Sequence, residues 1–272
     1  MIKKIISVLP DSIIRFFGQI QFRFPLLGGL INKVAQRAIA GEGVIQRGEG
    51  KGLCFDATHC NPGYLTGTSA PEEQKVLVEA LTGGDVFYDL GANAGFYAVI
   101  AAREVGPNGH VYAFEPTPEL ADRVRHNARI NQFENMTVVE AAVCNHNGSI
   151  EFGSEGFDVQ NSIKKADSEN FIEVRAVTLD EWAKDKRPPD VIMMDIEGAE
   201  LDALRGAEHL IREHRPTMLI EVHWLGRDFV DFVDQALRPL GYEATTYSGE
   251  PLPTKKIDRY HALLIPARSY AA

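Results

Sequence analysis

At 272 residues, 44% of them hydrophobic and 24% charged, the chain has the composition of a soluble globular domain that can bury a core without disulfides or metals, which excludes a disordered polypeptide. A formal net charge of -10 argues against a nucleic-acid-binding protein, because affinity for a polyanion comes from clustered Lys and Arg. Cys54, Cys60 and Cys144 are odd in number and form no C-x-x-C pair, which points to free thiols and a reducing, cytoplasmic compartment.

Residues 1–40 carry Lys3, Lys4, Arg15, Arg23, Lys33 and Arg37 against Asp11 alone. Pro10, Asp11, Arg15, Arg23 and Pro25 keep every apolar run short of the ~18 residues a spanning helix needs, and no small-residue cleavage site follows a signal core. Two readings stand: amphipathic segments that cap the domain or its cleft, or a basic, Ile- and Phe-rich segment in peripheral contact with an anionic membrane. From Glu42 to Pro71 the chain is rich in Gly, Asn and Thr, with alternation around Gly52-Leu53-Cys54-Phe55, so short strands and loops are expected. Residues 1–70 thus read as an amphipathic and β-rich extension or cap, and 71–272 as the main domain.

Pro71 suits the first turn of a helix over 72–81, which Gly83-Gly84 ends. Apolar runs then alternate with helical patterns, the signature of βαβ units and a parallel sheet. Strands are expected near 86–90, 111–115, 137–143, 190–196 and 217–223, and helices at about 95–104, 118–131, 199–213 and 227–239. Glu243–Ser248 and His261–Pro266 complete a sheet of about seven mostly parallel strands, with helices on both faces and an antiparallel member at the edge.

The most informative run is Val86-Phe87-Tyr88-Asp89-Leu90-Gly91-Ala92-Asn93-Ala94-Gly95-Phe96, an apolar strand entering a glycine turn and then a helix. Gly91 and Gly95 let the backbone turn tightly near a ligand, and the amides of the next helix offer donors at the switch point of the sheet. Glu115, ending the next strand, is placed to accept hydrogen bonds from ribose hydroxyls. The turn lacks the middle glycine of G-x-G-x-x-G, which disfavours a dinucleotide. Its acidic strand end suits a cofactor with a cationic amino-acid moiety.

Asp89 to Phe96, Phe114-Glu115-Pro116, Glu140-Ala141-Ala142-Val143, Thr178-Leu179-Asp180 and Met194-Asp195-Ile196-Glu197-Gly198-Ala199-Glu200, with a downstream Glu-Val-His, together resemble the FkbM family of S-adenosylmethionine methyltransferases. The resemblance covers about residues 50–225. It implies a Rossmann-like class I methyltransferase fold, methyl transfer from S-adenosylmethionine, and an oxygen acceptor on a sugar, glycan or natural product. It places Asp89 and Gly91 at the methionine end of the cofactor, Glu115 at the ribose, and Ala142 and Val143 at the adenine edge. Asn93 reads either as a cofactor contact or as a turn residue.

Asp195 and Glu197 close the fourth parallel strand, and Glu221 and His223 the fifth, so all four point toward the crevice of an open α/β sheet. A hydroxyl acceptor needs a base. With an ordinary pKa near 6.5, His223 is the first candidate and Asp195 the second. Glu197 is alternatively a charge at the N-terminus of the following helix. Three carboxylates and an imidazole in one cleft also suit a divalent cation that orients a sugar diol. The other seven histidines, His261 among them, lack such spacing, and Trp182 and Trp224 read as packing residues, Trp224 alternatively lining the acceptor cleft. A NAD- or nucleotide-sugar-binding enzyme and a catalytically silent partner subunit are the competing readings.

Overall fold

The computed structural model describes residues 41–58, 60–61, 63–153 and 171–267. The N-terminal segment that invited the cap and membrane readings lies outside the described residues. Two compact units divide the chain, Met1–Gln74 and Lys75–Ala272. In the first, β1 (Glu42–Val44) pairs antiparallel with β2 (Cys54–Asp56), followed by a single turn of helix, α1 (Gly63–Thr66). The buried Gln74 side chain accepts from the Glu49 amide and donates to the Ser69 carbonyl, satisfying backbone groups that a loop would otherwise bury unpaired. Helix α2 (Pro71–Ala80) starts on proline with Glu72 and Glu73 in its first turn, where acids favour the helix dipole.

The second unit is built on β3 (Val86–Leu90), α3 (Phe96–Val105), β4 (His110–Phe114), α4 (Pro118–Ile130), β5 (Met136–Val139), β6 (Ala142–Val143), β7 (Gly148–Gly153), β8 (Phe171–Val177), α5 (Leu179–Trp182), β9 (Val191–Met194), α6 (Glu200–Arg205), α7 (Glu208–His214), β10 (Thr217–His223), α8 (Arg227–Phe232), β11 (Tyr242–Thr246) and β12 (Arg259–Pro266). Seven strands form the main sheet in the order β11-β12-β10-β9-β3-β4-β5. From β10 to β5 every pairing is parallel, and β12 runs antiparallel to both of its neighbours. The reversed strand is therefore second from the edge, inside the sheet, not at the edge as expected. The chain leaves β3 toward β4 on one side and returns to β9 on the other, so the switch point, where ligands enter such sheets, lies between the carboxyl ends of β3 and β9.

Alternation along the strands decides the layers. Val86, Tyr88, Leu90, Ile192, Met194, Met218, Ile220, Val222, Ala262 and Leu264 share one core with Leu201, Leu204, Leu210 and Ile211 of α6 and α7 and with Phe229 of α8. Helix α3, with five consecutive buried residues Ala98–Ala102, lies against β3 and β4 and adds none of them to that core. Both faces are thus covered, which is why the central strands read as continuous apolar runs. Trp182 is the packing residue expected, edge-on to Tyr88, Tyr112 and Phe114. All three cysteines are free thiols, and among the described residues no helix is long and apolar enough to cross a membrane.

Two expected elements break. The 137–143 run ends its main-sheet pairing at Val139, and Ala142–Val143 moves to a second, three-stranded sheet in the order β6-β8-β7; β7 and β8 had no counterpart in the expected elements. The 199–213 helix divides at Gly206-Ala207. A side chain on Gly206 would meet the Cys144 carbonyl oxygen at 2.0 Å, so the break lets two backbones pass in contact. After α8 the chain continues through a π turn, Val233–Leu237, and a 3-10 turn, Arg238–Leu240.

Candidate active site

At the end of β3 the amides of Gly91 and Ala92 both donate to the Phe114 carbonyl, folding the glycine turn onto the end of β4. Gly91 has φ 88° and Gly95 φ 84°, a region costly for any residue with a Cβ. A Cβ on Gly91 would lie 2.0 Å from the Asp195 carbonyl oxygen. The turn therefore sits directly against the chain leaving β9. Gly95 caps α3, and the buried Asn127 side chain donates to the Ala94 carbonyl at 2.9 Å, holding the turn from α4.

Glu115 is clamped by two backbone donors, the Asn93 amide at 2.8 Å on Oε2 and the Thr117 amide at 2.9 Å on Oε1. Asn93 itself has φ 51°, and its Oδ1 accepts from the Ala94 amide, so its side chain serves the turn. Asp89 is buried, and its Oδ2 has no hydrogen-bond partner. Burial and the nearby Glu115 charge push the Asp89 carboxyl up to about 7; burial pushes Glu115 up to about 7 against the hydrogen bonds that hold it down. Two adjacent carboxyls, one with an orphaned oxygen, fit a partner that brings hydroxyl and ammonium donors. That is the donor set of the ribose and amino-acid ends of S-adenosylmethionine. Ala142 and Val143 are buried, each in an apolar cluster.

The second half of the site surrounds His223. Its Nδ1 lies 2.9 Å from Glu200 Oε1, which also accepts the Gly198 amide at 2.9 Å. Its Nε2 faces Glu197 Oε2 at 3.6 Å, Glu221 Oε1 at 3.7 Å and Asp195 Oδ1 at 3.9 Å. From β12, Arg259 lies 3.1 Å from Glu221 Oε1, and His261 Nε2 lies 3.7 Å from Glu221 Oε2. Asp195 and Glu197 lie beyond the last strand residue, Met194. Glu197, three residues past β9, and Trp224, one residue past β10, hold φ 52° and φ 53°, strained values that concentrate at functional sites.

Charge crowding sets the protonation of this cluster. Burial pulls the His223 pKa down, but the Glu200 hydrogen bond and the charges of Glu200, Asp195 and Glu197 outweigh it and hold it up at about 9. Burial and the charges of Glu221 and Glu197 push Asp195 well above the usual carboxylate range, and burial also raises Glu197. Glu221 is buried too, yet His261, Arg259 and His223 bring it down to about 2. Glu200, Asp195 and Glu197 thus lift the imidazole above the ordinary range near 6.5 from which it was read as the first candidate base.

The structure brings Asp195, Glu197, Glu221 and His223 together, as the strand-end argument expects, and brings Asp89, Gly91, Asn93, Gly95 and Glu115 together at the neighbouring strand ends. Three participants had no role in the sequence reading. Glu200 was quoted in the motif, where its place three residues after Glu197 was the available signal. Arg259 and His261 face His223 and Glu221 only through the β10–β12 register, a pairing that the sequence spacing of His261 does not show. Trp224 is 47% exposed and is therefore not a packing residue. Its ring edge lies over Gly198, where a Cβ would meet it at 3.5 Å.

Residues 89–244 match the methyltransferase FkbM domain. The protein-L-isoaspartate O-methyltransferase of Ignicoccus hospitalis is 41% identical over 73 residues, 26% of this chain and 35% of that protein. The hexuronic acid methyltransferase AglP of Haloferax volcanii is 25% identical over 151 residues, 55% of this chain and 60% of that protein. For the 2-O-methyltransferase NoeI of Sinorhizobium fredii the figures are 27% over 168 residues, 54% and 68%. The chain thus spans 35% and 60% of the first two of these relatives. Among solved structures, the FkbM methyltransferase of Methylobacillus flagellatus is 20% identical, with 66% of this chain and 43% of that chain covered and a TM-score of 0.46. Because the domain match covers more than half of the residues, including both halves of the site, this chain belongs to the FkbM methyltransferase family.

Proposed function

We propose that this chain transfers the methyl group of S-adenosylmethionine to a hydroxyl oxygen of a sugar, glycan or related small-molecule acceptor. The observation that carries the reading is the contact between Gly91 and the Asp195 carbonyl. It joins the turn proposed to hold the cofactor to the cluster proposed to hold the acceptor. Relatives named for hexuronic acid and 2-O methylation support the acceptor class.

Bound here, S-adenosylmethionine supplies a methyl group on a sulfonium, an electrophile that needs no acid to leave. Asp89 pairs with the amino-acid end, Gly91 and Gly95 keep the turn free of side chains, and Glu115 accepts the ribose hydroxyls. Asn93 fixes the turn that carries these groups. Ala142 and Val143 would border the adenine, as the family resemblance implies. At the acceptor side Asp195 takes the hydroxyl proton, a role its position beside the Gly91 turn supports. His223 is a positioning residue, oriented by Glu200, and Glu197 and Glu221 with Arg259 complete the wall of the acceptor crevice.

The test is transfer of labelled methyl from S-adenosylmethionine to a panel of hexuronic acids, neutral hexoses and their glycosides. Acceptor-dependent label, with one S-adenosylhomocysteine formed per methyl, is the expected result. Asp195→Asn should lower kcat by about 100-fold while S-adenosylhomocysteine affinity stays close to wild type. Consumption of S-adenosylmethionine by none of the acceptors, together with tight binding of NAD or a nucleotide sugar, would overturn the reading.

A further inference from the structure

We propose that Asp195, Glu197 and His223 bind one divalent cation of the Mn2+ kind, whose open side faces the acceptor crevice. Its role in holding acceptor hydroxyls rests on the methyl-transfer reading; its binding does not. One oxygen from each carboxylate and one ring nitrogen of His223 all lie within 4.8 Å of one another.

The His223 side chain is 4% exposed, and its two nitrogens have different surroundings. Nδ1 is engaged by Glu200 Oε1, an oxygen that already accepts the Gly198 amide, so Nδ1 is the donor and Nε2 is aimed into the cluster. A carboxylate gripping the remote nitrogen of a histidine is the arrangement that fixes tautomer and ring orientation at metal centres. Around Nε2 the oxygens stand at 3.6, 3.7 and 3.9 Å, and Asp195 Oδ1 is buried with no hydrogen-bond partner. A proton shared with one of them would draw it in to about 2.8 Å. An ion held by bonds of about 2.1 Å keeps neighbouring donors roughly 3–4 Å apart, the spacing that three protein ligands need when they leave a side open.

The donors also select the ion. Two carboxylates and one imidazole suit Mn2+ or a neighbouring divalent ion better than soft thiolate-seeking metals. Glu221 is less available, because Arg259 reaches it at 3.1 Å. The Asp195 side chain is 40% exposed and that of Glu197 21%, so the ion would keep exchangeable positions for hydroxyl oxygens. The Asp195 backbone beside Gly91 sets those positions next to the proposed methionine end of the cofactor.

Full-length protein stripped with EDTA is titrated with MnCl2, following free aquo-Mn2+ by electron paramagnetic resonance, and with S-adenosylhomocysteine by calorimetry. One Mn2+ per chain, saturating below about 1 mM, the weak end of oxygen-ligand sites, is expected. Asp195→Asn and Glu197→Gln should each weaken it by at least about 10-fold. Glu197→Gln, at a half-buried position on a loop, keeps the test open if an Asp195 variant fails to fold. Absence of Mn2+ binding to wild type, or binding that neither substitution weakens, overturns the cation site. S-adenosylhomocysteine binding in the same samples reports separately on the methyl-transfer reading, which survives if only the ion fails.

Discussion

Glu200 Oε1 and His223 Nδ1 lie 2.9 Å apart with both side chains out of water. This pair links the start of α6 to the end of β10 and fixes the imidazole around which Asp195, Glu197 and Glu221 gather. Removing one member of a buried charged pair leaves the other unpaired, at a cost of about 3–5 kcal/mol. Glu200→Ala should lower stability by that order in urea unfolding. Glu200→Gln, whose amide oxygen can still accept from Gly198 and His223, should lose markedly less. Equal losses in the two variants would mean that shape, not the hydrogen bond, is what Glu200 supplies.

Glu115 and Asp89 are assigned to the cofactor on geometry. Glu115→Ala should weaken S-adenosylhomocysteine by one or two charge-assisted hydrogen bonds, about 1.5–3 kcal/mol each, and Asp89→Ala should weaken it through the amino-acid end. Calorimetry with circular dichroism as the fold control checks both. Unchanged affinity in a folded Glu115→Ala protein contradicts the ribose assignment.

Cofactor binding should depend on pH with a definite sign. Native Asp89 and Glu115 keep their protons up to about 7, whereas in the unfolded chain they lose them near 4. Between those values the unfolded state binds fewer protons, so the contribution of these two groups to stability falls as pH rises through the window. A ligand that brings an ammonium and hydroxyl donors favours the carboxylates. S-adenosylhomocysteine should therefore bind more tightly as pH rises from about 5.5 to 7.5 and release protons on binding at the lower end. Calorimetry in buffers of different ionisation enthalpy reads that release. Proton uptake, or a flat affinity, would refute it.

Gly91→Ala tests the contact between the two halves of the site. The substitution places a Cβ 2.0 Å from the Asp195 carbonyl at φ 88°, so β9 and the turn must separate. Thermal unfolding should fall by several degrees, consistent with about 1–3 kcal/mol of strain in a domain of this size, and S-adenosylhomocysteine binding should be lost. A variant with wild-type melting and affinity would show that the close approach is not needed.

Much of this was legible in the sequence because its cause is local. The β3 turn is announced by Asp89, Gly91 and Gly95, and the strand-end acids by their position after apolar runs. What was hidden depends on partners distant in sequence. Ala142 and Val143 continue an apolar run, yet pair with Ala176 and Val177 in another sheet. Helix propensity through Gly206 gave way to the passage of the Cys144 backbone. The order of β11 and β12 follows from pairings that no period within either strand encodes. At the site, the raised pKa of His223 depends on partners of the same kind: Glu200 enters from a helix, and Asp195 and Glu197 from the loop after another strand. The charge state of an imidazole is a property of its neighbours and not of its own segment.

Calorimetric titration of the full chain with S-adenosylhomocysteine and, separately, with NAD tests the central claim most directly. The account predicts one S-adenosylhomocysteine per chain at micromolar affinity, about -8 kcal/mol, weakened by Glu115→Ala, with NAD bound far more weakly. Tight NAD binding with no response to S-adenosylhomocysteine would contradict it.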